Sequence, residues 1–466
     1  MGGSSCQVRS SKRGTLINAR DTIPQPLASK TKPKAKLMLL LHLADIHFRD
    51  GEVGTAMDPN AHLRNEILRD AEEQVKALGQ APDVIVISGD VAFAAEASEF
   101  AYALSWLETL CARCGASPAA VFVVPGNHDA SRKVSSRHVI QALHKTIKGA
   151  SDIGLEATIR GLLTDPETGR YLYESLDAYN DFAGRFFCSL LPPERTIASR
   201  DLTLNDGSTL RLSGFNSAFV SSAADKKGDL FVDPACLQLK RERGIVHLAV
   251  CHHPCSWLRD GDSLSDFLND VAKIQLFGHE HTNRISLGRD WVRVHASAAH
   301  PDKTETGWEP GYNLIALRVD NTDGERRLQV DVHVRVWQTR PGQFRPKMDN
   351  ASAVFQQSIP LEAWTPPAAP PVVTPVTVQP AEQGPAVTVD LERTEQMDTL
   401  REISVRFFKL TLSQKSSIAG KLNLLEEEDA NQPDFERFMR VFVRARQRGL
   451  IADLDREVKA AAAGGH

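Results

Sequence analysis

The sequence predicts an α/β fold in which a two-layered β-sandwich core is flanked by helices and followed by a small all-α bundle. Two observations predict this fold. From residue 37 onward, short apolar runs alternate with longer segments of helical periodicity, which is typical of an α/β core. After residue 391 only helical periodicity remains. At 466 residues, the chain has room for a large core and one small further domain.

The first part of the core shows this alternation most clearly. Leu63, Ile67 and Ala71 recur one helical turn apart, so one apolar stripe of their helix faces a sheet. The predicted elements are strands near 37–43, 83–88 and 119–124 and helices near 62–78 and 96–113. Further strands are predicted near 209–215, 245–251, 273–277, 292–296, 312–318 and 328–337.

A helical insertion is predicted at about 131–195, where the strand pattern stops. It directly follows a candidate catalytic loop, so we expect it to cap the site. The core as a whole is predicted to span residues 37–345.

The two ends of the chain differ from this core in composition. Residues 1–36 carry eight basic residues and one acid, which predicts a disordered basic tail; a tether to nucleic acid or an anionic surface is the alternative. Prolines among Val, Thr and Ala favour an extended linker at 346–390. Residues 391–466 are predicted to form a helical, adaptor-like domain. Its expected helix-end residues are Ser413, Pro433 and Gly449.

Charge and apolar content exclude several classes of protein. A formal net charge of -4 disfavours binding along a nucleic-acid duplex, which draws most of its affinity from Lys and Arg. Apolar runs such as Leu37–Leu41 are far shorter than the roughly 20 residues that span a bilayer. No apolar segment follows the first basic residues, so we expect no secretory signal. Seven Cys at irregular spacing form no disulfide framework, which favours a reducing, cytoplasmic setting.

Short polar motifs follow five of the predicted strands. Alone, each motif is weak, because pairs of Asp and His arise often by chance. Loops after the strands of an open α/β sheet meet at one edge, so together they predict one site. In chain order the motifs are Asp45-Ile46-His47, Gly89-Asp90, Gly126-Asn127-His128-Asp129, His252-His253-Pro254 and Gly278-His279-Glu280-His281.

These motifs combine carboxylates, an amide oxygen and imidazoles, a ligand set that suits Mn, Fe or Zn. Two ions need a bridging carboxylate, and Asp90 is the central candidate. We expect His253 to pack beside His252 and Glu280 to face outward.

The five motifs resemble those of the calcineurin-like metallophosphoesterase superfamily over about residues 37–340. The family's pattern DxH, GD, GNH(D/E), H and GHxH is filled at every metal-ligand position. The resemblance implies a two-layered metallophosphoesterase fold, two divalent ions and hydrolysis of phosphoesters. The implied ligands are Asp45, His47 and His281 for the first ion, Asn127, His252 and His279 for the second, and Asp90 for both.

Two further residues are expected to take part in catalysis. His128, beside the ligand Asn127, is placed to neutralise developing charge and to give the leaving alkoxide a proton. Asp129 is expected to orient His128. The alternative is that His128 is a structural histidine beside the metals.

One position departs from the family pattern. Phe93 stands where many members carry a polar residue, three positions after the Asp of the GD motif. The sequences around Asp45 and Asn127 look more like the cyclic-nucleotide phosphodiesterase and repair-nuclease branches than like protein Ser/Thr phosphatases.

The C-terminal helices resemble the death-like adaptor domains that are fused to effectors in bacterial conflict and signalling systems. The resemblance rests on a Phe-rich third helix and the closing string at 446–450; a dimerisation or solubility appendage is the alternative. A protein partner or a second copy of the chain is therefore expected at residues 391–466.

The whole chain predicts a phosphodiesterase acting on nucleotides or cyclic nucleotides, as an effector in bacterial signalling or defence. The alternative is a metal-dependent nuclease on single-stranded DNA or RNA. A metal-stabilised binding module without enzyme activity is a third, more distant interpretation.

Overall fold

The computed structural model describes residues 1, 37–301, 307–322, 324–366 and 388–463. The basic tail and most of the Pro-rich linker lie outside these residues, so both remain predictions. The described residues from 37 onward form one compact unit. Within the described residues, no helix combines the length and the apolar character needed to cross a membrane.

Two β-sheets build the core, as the sequence predicts. The first sheet has the order β12-β11-β10-β1-β2-β3, with β13 also pairing with β11. Its strands are β1 (Met38–Leu43), β2 (Val84–Ser88), β3 (Val121–Val124), β10 (Gly311–Thr322), β11 (Glu325–Thr339), β12 (Gly342–Pro346) and β13 (Phe355–Pro360). The second sheet has the order β4-β5-β6-β7-β9-β8. Its strands are β4 (Ile197–Thr203), β5 (Thr209–Phe215), β6 (Ile245–Cys251), β7 (Ala272–Phe277), β8 (Arg284–Leu287) and β9 (Val292–His295).

The alternation of side chains along β6 shows how the second sheet is covered on both faces. Val246 and Leu248 join the large core that also contains residues of the first sheet. Ala249 and Cys251, which point the other way, pack in a second cluster with Leu268 of helix α8 (Gly261–Val271). Burial on both faces explains why such strands read as continuous apolar runs.

Helices cover the outer faces and form the insertion. On the first sheet lie α1 (Ala61–Leu78) and α2 (Ala97–Cys114). The insertion contains α3 (Arg132–Ser135), α4 (His138–Gly149), α5 (Asp152–Thr164), α6 (Pro166–Tyr173) and α7 (Asp177–Ala183). Tyr179 and Phe182 of α7 are buried, and Phe182 stacks on Phe100 of α2. This part of the insertion therefore belongs to the core, and a capping role for the other helices stays a prediction.

The expected linker begins later than residue 346. Residues 355–360 form β13, which is hydrogen-bonded antiparallel to β11. The segment between Pro346 and β13 is thus a connection within the sheet, and its mixed polar sequence gave no clear strand signal.

The C-terminal bundle consists of α9 (Thr388–Phe407), α10 (Leu412–Lys421), α11 (Asp434–Gln447) and α12 (Ile451–Ala463). Its second helix is capped by Thr411, not by the predicted Ser413, because Thr411 and Gln414 form a capping box. Phe407, Phe438 and Phe442 form the apolar centre of the bundle.

The bundle packs against the core instead of standing apart from it. Phe187 contacts the ring of Phe442 at a centroid distance of 5.5 Å. An ion pair of 2.6 Å joins Arg195 to Glu436, and Lys409 pairs with Glu108 at 2.8 Å. The prediction of an extended linker before the bundle did not indicate these contacts with the core.

Candidate metal centre

The predicted site residues converge at one edge of the molecule. Strands β1, β2 and β3 run parallel, as do β5, β6 and β7. The five polar motifs follow the carboxyl ends of β1, β2, β3, β6 and β7. Because the carboxyl ends of parallel strands meet at the same edge, these loops bring their side chains together.

The backbone at this edge adopts the left-handed conformation, which non-glycine residues rarely adopt. Positive φ occurs at five of the seven predicted ligands, with values between 51° and 69°. They are Asp45, His47, Asp90, His279 and His281. Strain of this kind persists where the surroundings hold it in place, and it concentrates at functional sites.

Glycines of the motifs allow the loops to approach one another. Gly89 has a φ of +94°, and a Cβ there would collide with the ring of His252. A Cβ on Gly126 would collide with the carboxylate of Asp90. The GD and GNH motifs therefore need glycine so that ligands from different strands can meet.

One group of potential ligand atoms comes from Asp45, His47 and His281, which lie within 4.8 Å of one another. Nε2 of His281 is 3.5 Å from an oxygen of Asp45. The main-chain N–H of His279 donates to the Asp45 carboxylate at 3.1 Å, which orients it. This group coincides with the set that the sequence assigns to a first ion.

A second group comes from His252, His253 and His279, again within 4.8 Å. Oδ1 of Asn127 lies 3.1 Å from Nε2 of His252 and 3.2 Å from Nε2 of His253. His253 was expected only to pack beside His252. The structure instead directs its Nε2 to the same amide oxygen, while its Nδ1 contacts the hydroxyl of Ser217 at 2.8 Å.

Asp90 lies between the two groups. Its Oδ2 is 3.2 Å from Nε2 of His47 and 3.3 Å from Nε2 of His252. Its other oxygen, Oδ1, accepts the main-chain N–H of His128 at 2.8 Å. One carboxylate oxygen thus faces both groups, which is the arrangement that a bridging ligand requires.

The charges of this cluster fit a cation. Asp45 and Asp90 are 0% and 1% exposed, and in the described part of the chain neither pairs with Lys or Arg. Burial opposes ionisation of Asp90, but His252 and His47 outweigh it and hold the carboxyl pKa well below its usual range. Burial also opposes charge on His252, yet Asp90 and Asp45 raise its pKa to about 9. Buried carboxylates need positive charge nearby, and divalent ions supply it.

Main-chain contacts behind the cluster fix the orientation of its imidazoles. Nδ1 of His252 donates to the carbonyl of Ser88 at 2.9 Å, which leaves Nε2 for the cluster. His42 is buried, and its Nε2 contacts the Ser88 hydroxyl at 2.9 Å.

His128 lies beside this cluster and is half-buried. A ring nitrogen of His128 is within 4.8 Å of ligand atoms of His47 and Asp90. Burial lowers the pKa of His128. Its Nδ1 contacts the main-chain oxygen of Phe93 at 2.7 Å.

Among the described residues, the carboxylate of Asp129 makes no hydrogen bond to His128, although Asp129 was expected to orient that imidazole. Its buried carboxylate accepts the main-chain N–H groups of Ala92 at 2.8 Å, Gly126 at 2.9 Å and Val91 at 3.3 Å. These hydrogen bonds direct the carboxylate of Asp129 toward the main chain of the loop after β2. They replace the expected contact with the imidazole of His128.

Aromatic and cationic side chains contact each other at the two ends of the cluster, and no sequence motif predicted these contacts. Trp257 contacts His279 edge-on at 4.1 Å between ring centroids, and the ammonium of Lys227 is 5.7 Å from the Trp257 ring. Lys227 also pairs with the partly exposed Glu280 at 3.4 Å. At the other end, the guanidinium of Arg49 lies 3.8 Å from the ring centroid of Phe93.

A comparison with known families identifies the family of this chain. The family model described as Calcineurin-like phosphoesterase matches residues 38–283, more than half of the chain. The chain belongs to the calcineurin-like phosphoesterase family. Members of this family use divalent metals, and the Asp and His clusters at the strand ends fit that use.

A second family model, described as GTPase-associated adaptor domain, matches residues 399–460 of this phosphoesterase. An adaptor domain was expected there from the Phe-rich helix. The matched description names GTPases, whereas the sequence resemblance pointed to death-like adaptors.

A comparison with solved structures also gave matches. Vacuolar Protein Sorting 29 from Cryptosporidium parvum is 11% identical, with a TM-score of 0.31 over 70% of this chain and 99% of that one. Vps29 from Entamoeba histolytica in complex with Zn2+ is 11% identical, with a TM-score of 0.28 over 69% and 99%. GAP50 of Plasmodium is 9% identical, with a TM-score of 0.34 over 70% and 90%. No curated protein matches the chain.

Proposed function

We propose that this phosphoesterase is a binuclear, metal-dependent phosphodiesterase that hydrolyses nucleotides or cyclic nucleotides. The observation that carries the proposal is the position of Asp90, whose Oδ2 lies between His47 and His252 at 3.2 and 3.3 Å. A carboxylate in that position suits two ions that share it. The proposed ligands are Asp45, His47 and His281 for one ion, Asn127, His252 and His279 for the other, and Asp90 for both.

Bound divalent ions of Mn, Fe or Zn would make hydroxide available near neutral pH and neutralise the charge on phosphoryl oxygens. His128 would supply the proton for the leaving group. As the phosphorus–oxygen bond breaks, the leaving oxygen keeps the electron pair and takes the proton from Nε2 of charged His128, which solvent then recharges. The hydrogen bond of Nδ1 to Phe93 leaves Nε2 for this task.

The residues around the cluster support the proposal that the substrates are phosphodiesters of nucleotides. The family covers many phosphoesters, and the proposal of the cyclic-nucleotide phosphodiesterase and repair-nuclease branch rests on the sequences around Asp45 and Asn127. Trp257 offers an aromatic surface beside His279, against which a base can pack.

A nuclease acting on single-stranded DNA or RNA is the second candidate function. It is favoured by two cations at opposite ends of the cluster, Arg49 over Phe93 and Lys227 over Trp257. In this position they suit further phosphates on either side of the reacting one, since cations beside aromatic rings are typical of single-strand sites.

A substrate panel tests the proposed function. The chain would be reconstituted with Mn, Fe or Zn and assayed on bis-p-nitrophenyl phosphate, cyclic nucleotides, and single-stranded DNA and RNA. We expect hydrolysis of the model diester and of at least one cyclic nucleotide, with loss of both activities on chelation. Hydrolysis of the single strands alone among the natural substrates would favour the nuclease, and no hydrolysis of any diester would contradict both.

We further propose that the C-terminal bundle recruits a protein partner. The adaptor match at residues 399–460 supports a partner or a second copy of the chain, and its description makes a GTPase the first partner to test. A cytoplasmic effector of bacterial signalling or defence would combine such recruitment with diester hydrolysis.

A further inference from the structure

Phe93 contacts His128 in two independent ways. Its main-chain oxygen is 2.7 Å from Nδ1 of His128, and its ring lies 5.0 Å from the imidazole centroid at an interplanar angle of 28°. A carbonyl oxygen only accepts hydrogen bonds, so Nδ1 carries the proton. The neutral imidazole therefore has its lone pair on Nε2. One residue thus determines both the tautomer and the plane of the ring.

Phe93 is itself held by the loop that follows β1. Its main-chain N–H donates to the carbonyl of Phe48 at 3.0 Å. The Arg49 guanidinium packs on its ring at 3.8 Å. The carbonyl that accepts from His128 therefore has a fixed position before any substrate arrives.

Asp129 stabilises the loop after β2, which contains Phe93. Its carboxylate accepts the N–H groups of Val91 and Ala92, the two residues that precede Phe93. Asp129 thus acts on His128 through the main chain of the loop. This connection gives Asp129 a role in orienting His128 although the two side chains do not touch.

We propose that Phe93 is a positioning residue, which fixes the tautomer and orientation of His128 so that Nε2 faces the leaving group. This inference rests on the proposed phosphodiester hydrolysis. At this position a main-chain carbonyl and an apolar ring contact His128. Because both contacts come from Phe93, loss of its ring should loosen His128 without removing a metal ligand.

The test compares two diesters with different leaving groups, bis-p-nitrophenyl phosphate and a dinucleoside phosphate. Phe93→Leu keeps the main chain but removes the aromatic ring. We expect its kcat on the dinucleoside phosphate to fall at least about tenfold, because small displacements of a catalytic group are costly. The fall on bis-p-nitrophenyl phosphate should be smaller, since p-nitrophenolate leaves without a proton. Metal content should not change, and Phe93→Tyr should restore the wild-type ratio of the two rates.

A matched control is Phe100→Leu, which removes a ring that stacks on Phe182 at 5.3 Å and the same 28°. It should change both rates by one common factor. In a His128→Ala background, Phe93→Leu should cause no further loss on the dinucleoside phosphate. If the losses of kcat caused by the two substitutions multiply instead, or if the Phe93→Leu variant loses metal, Phe93 is not a positioning residue for His128.

A second measurement does not depend on turnover. In the metal-free chain with 15N-labelled histidine, the ring nitrogens of His128 should show the proton on Nδ1, both in wild type and in Phe93→Leu, because that variant keeps the carbonyl. A proton on Nε2 of His128 in the wild-type chain would overturn the proposal. Wild-type chain that binds metal but hydrolyses neither diester would contradict the proposed function itself, and this failure is seen without any variant.

Discussion

At the scale of single residues, the site depends on backbone geometry that side-chain patterns do not reveal. Five predicted ligands have positive φ, and Gly89 and Gly126 leave no space for a Cβ beside His252 and Asp90. The motif letters identify which side chains meet because their order and placement after strands are specific. They do not identify a left-handed loop, because that conformation is stabilised by neighbours far away in sequence.

His253 and Asp129 show where prediction from the sequence failed at this scale. The doubled His252-His253 was the available signal for a second imidazole, but either ring can point inward until the loop is folded. The contact of His253 with Asn127 and Ser217 is set by the tertiary structure. Asp129 was expected to orient its neighbour His128. Its carboxylate instead accepts hydrogen bonds from three main-chain N–H groups of the folded loops.

His128→Ala should separate chemistry from metal binding. Asn127 supplies the amide oxygen of the second group, so we expect the variant to keep its metal. We expect kcat to fall by about 100-fold or more on diesters with poor leaving groups, which need a proton. Metal analysis and rates on p-nitrophenyl and alkyl diesters check this. Equal losses on both kinds of diester would argue against proton donation.

At the scale of elements, the apolar periodicity predicted the buried strands and the longest helices within a few residues. It missed β4, β8, β12 and β13, which are short or polar, and α8 between two sheet strands. The burial of β4 alternates, with Ala198 and Arg200 inside and Ser199 outside. Such a strand contains too few apolar residues for a clear pattern, and its pairing with β5 supplies what the sequence does not show.

Helix α1 is fixed to the first sheet by a buried ion pair that periodicity could not indicate. Asp70 accepts two bonds from Arg335 of β11, at 2.8 and 2.6 Å, and one from the Tyr312 hydroxyl of β10 at 2.6 Å. These side chains join three elements that lie far apart in the sequence.

Asp70→Ala should lower the free energy of unfolding by about 3 kcal/mol, because Arg335 and Tyr312 would be left buried without their partner. Urea denaturation checks the value. The matched control is Asp201→Ala, which removes an Arg–carboxylate pair of similar bond lengths, 2.8 Å each, whose side chains are both 30% exposed. Its loss should be at most about 1 kcal/mol. Equal effects of the two substitutions would show that burial of the Asp70 pair does not matter.

At the scale of the whole molecule, the bundle docks away from the metal-site edge. Its described contacts include Ser117, which precedes β3 and is hydrogen-bonded to Glu402, whereas Asn127 follows the other end of that strand. In the described residues, the hydrogen bonds and ion pairs of the bundle involve none of the seven proposed ligands. Composition indicated a separate helical domain, but the sequence has no signal for a contact such as Phe187 on Phe442.

A chain that ends after Trp364 should therefore keep its metal and its turnover on a small diester. We expect its melting temperature to fall by several degrees, since Phe187 and Arg195 lose their partners in the bundle. Calorimetry and assays on bis-p-nitrophenyl phosphate check both parts. Loss of metal or turnover at a temperature where the shortened chain is folded would make the bundle part of the catalytic unit.

Two ions share Asp90 in the proposed site, and metal content measured together with hydrolysis tests this sharing most directly. The wild-type chain, the Asp90→Ala variant and the control Asp201→Ala would be loaded with Mn, dialysed, and analysed for metal equivalents and for hydrolysis of bis-p-nitrophenyl phosphate. Wild type and Asp201→Ala should bind two equivalents and hydrolyse the diester, whereas Asp90→Ala should bind less metal and lose nearly all activity. An Asp90→Ala chain that keeps two equivalents and its activity would contradict the sharing of Asp90.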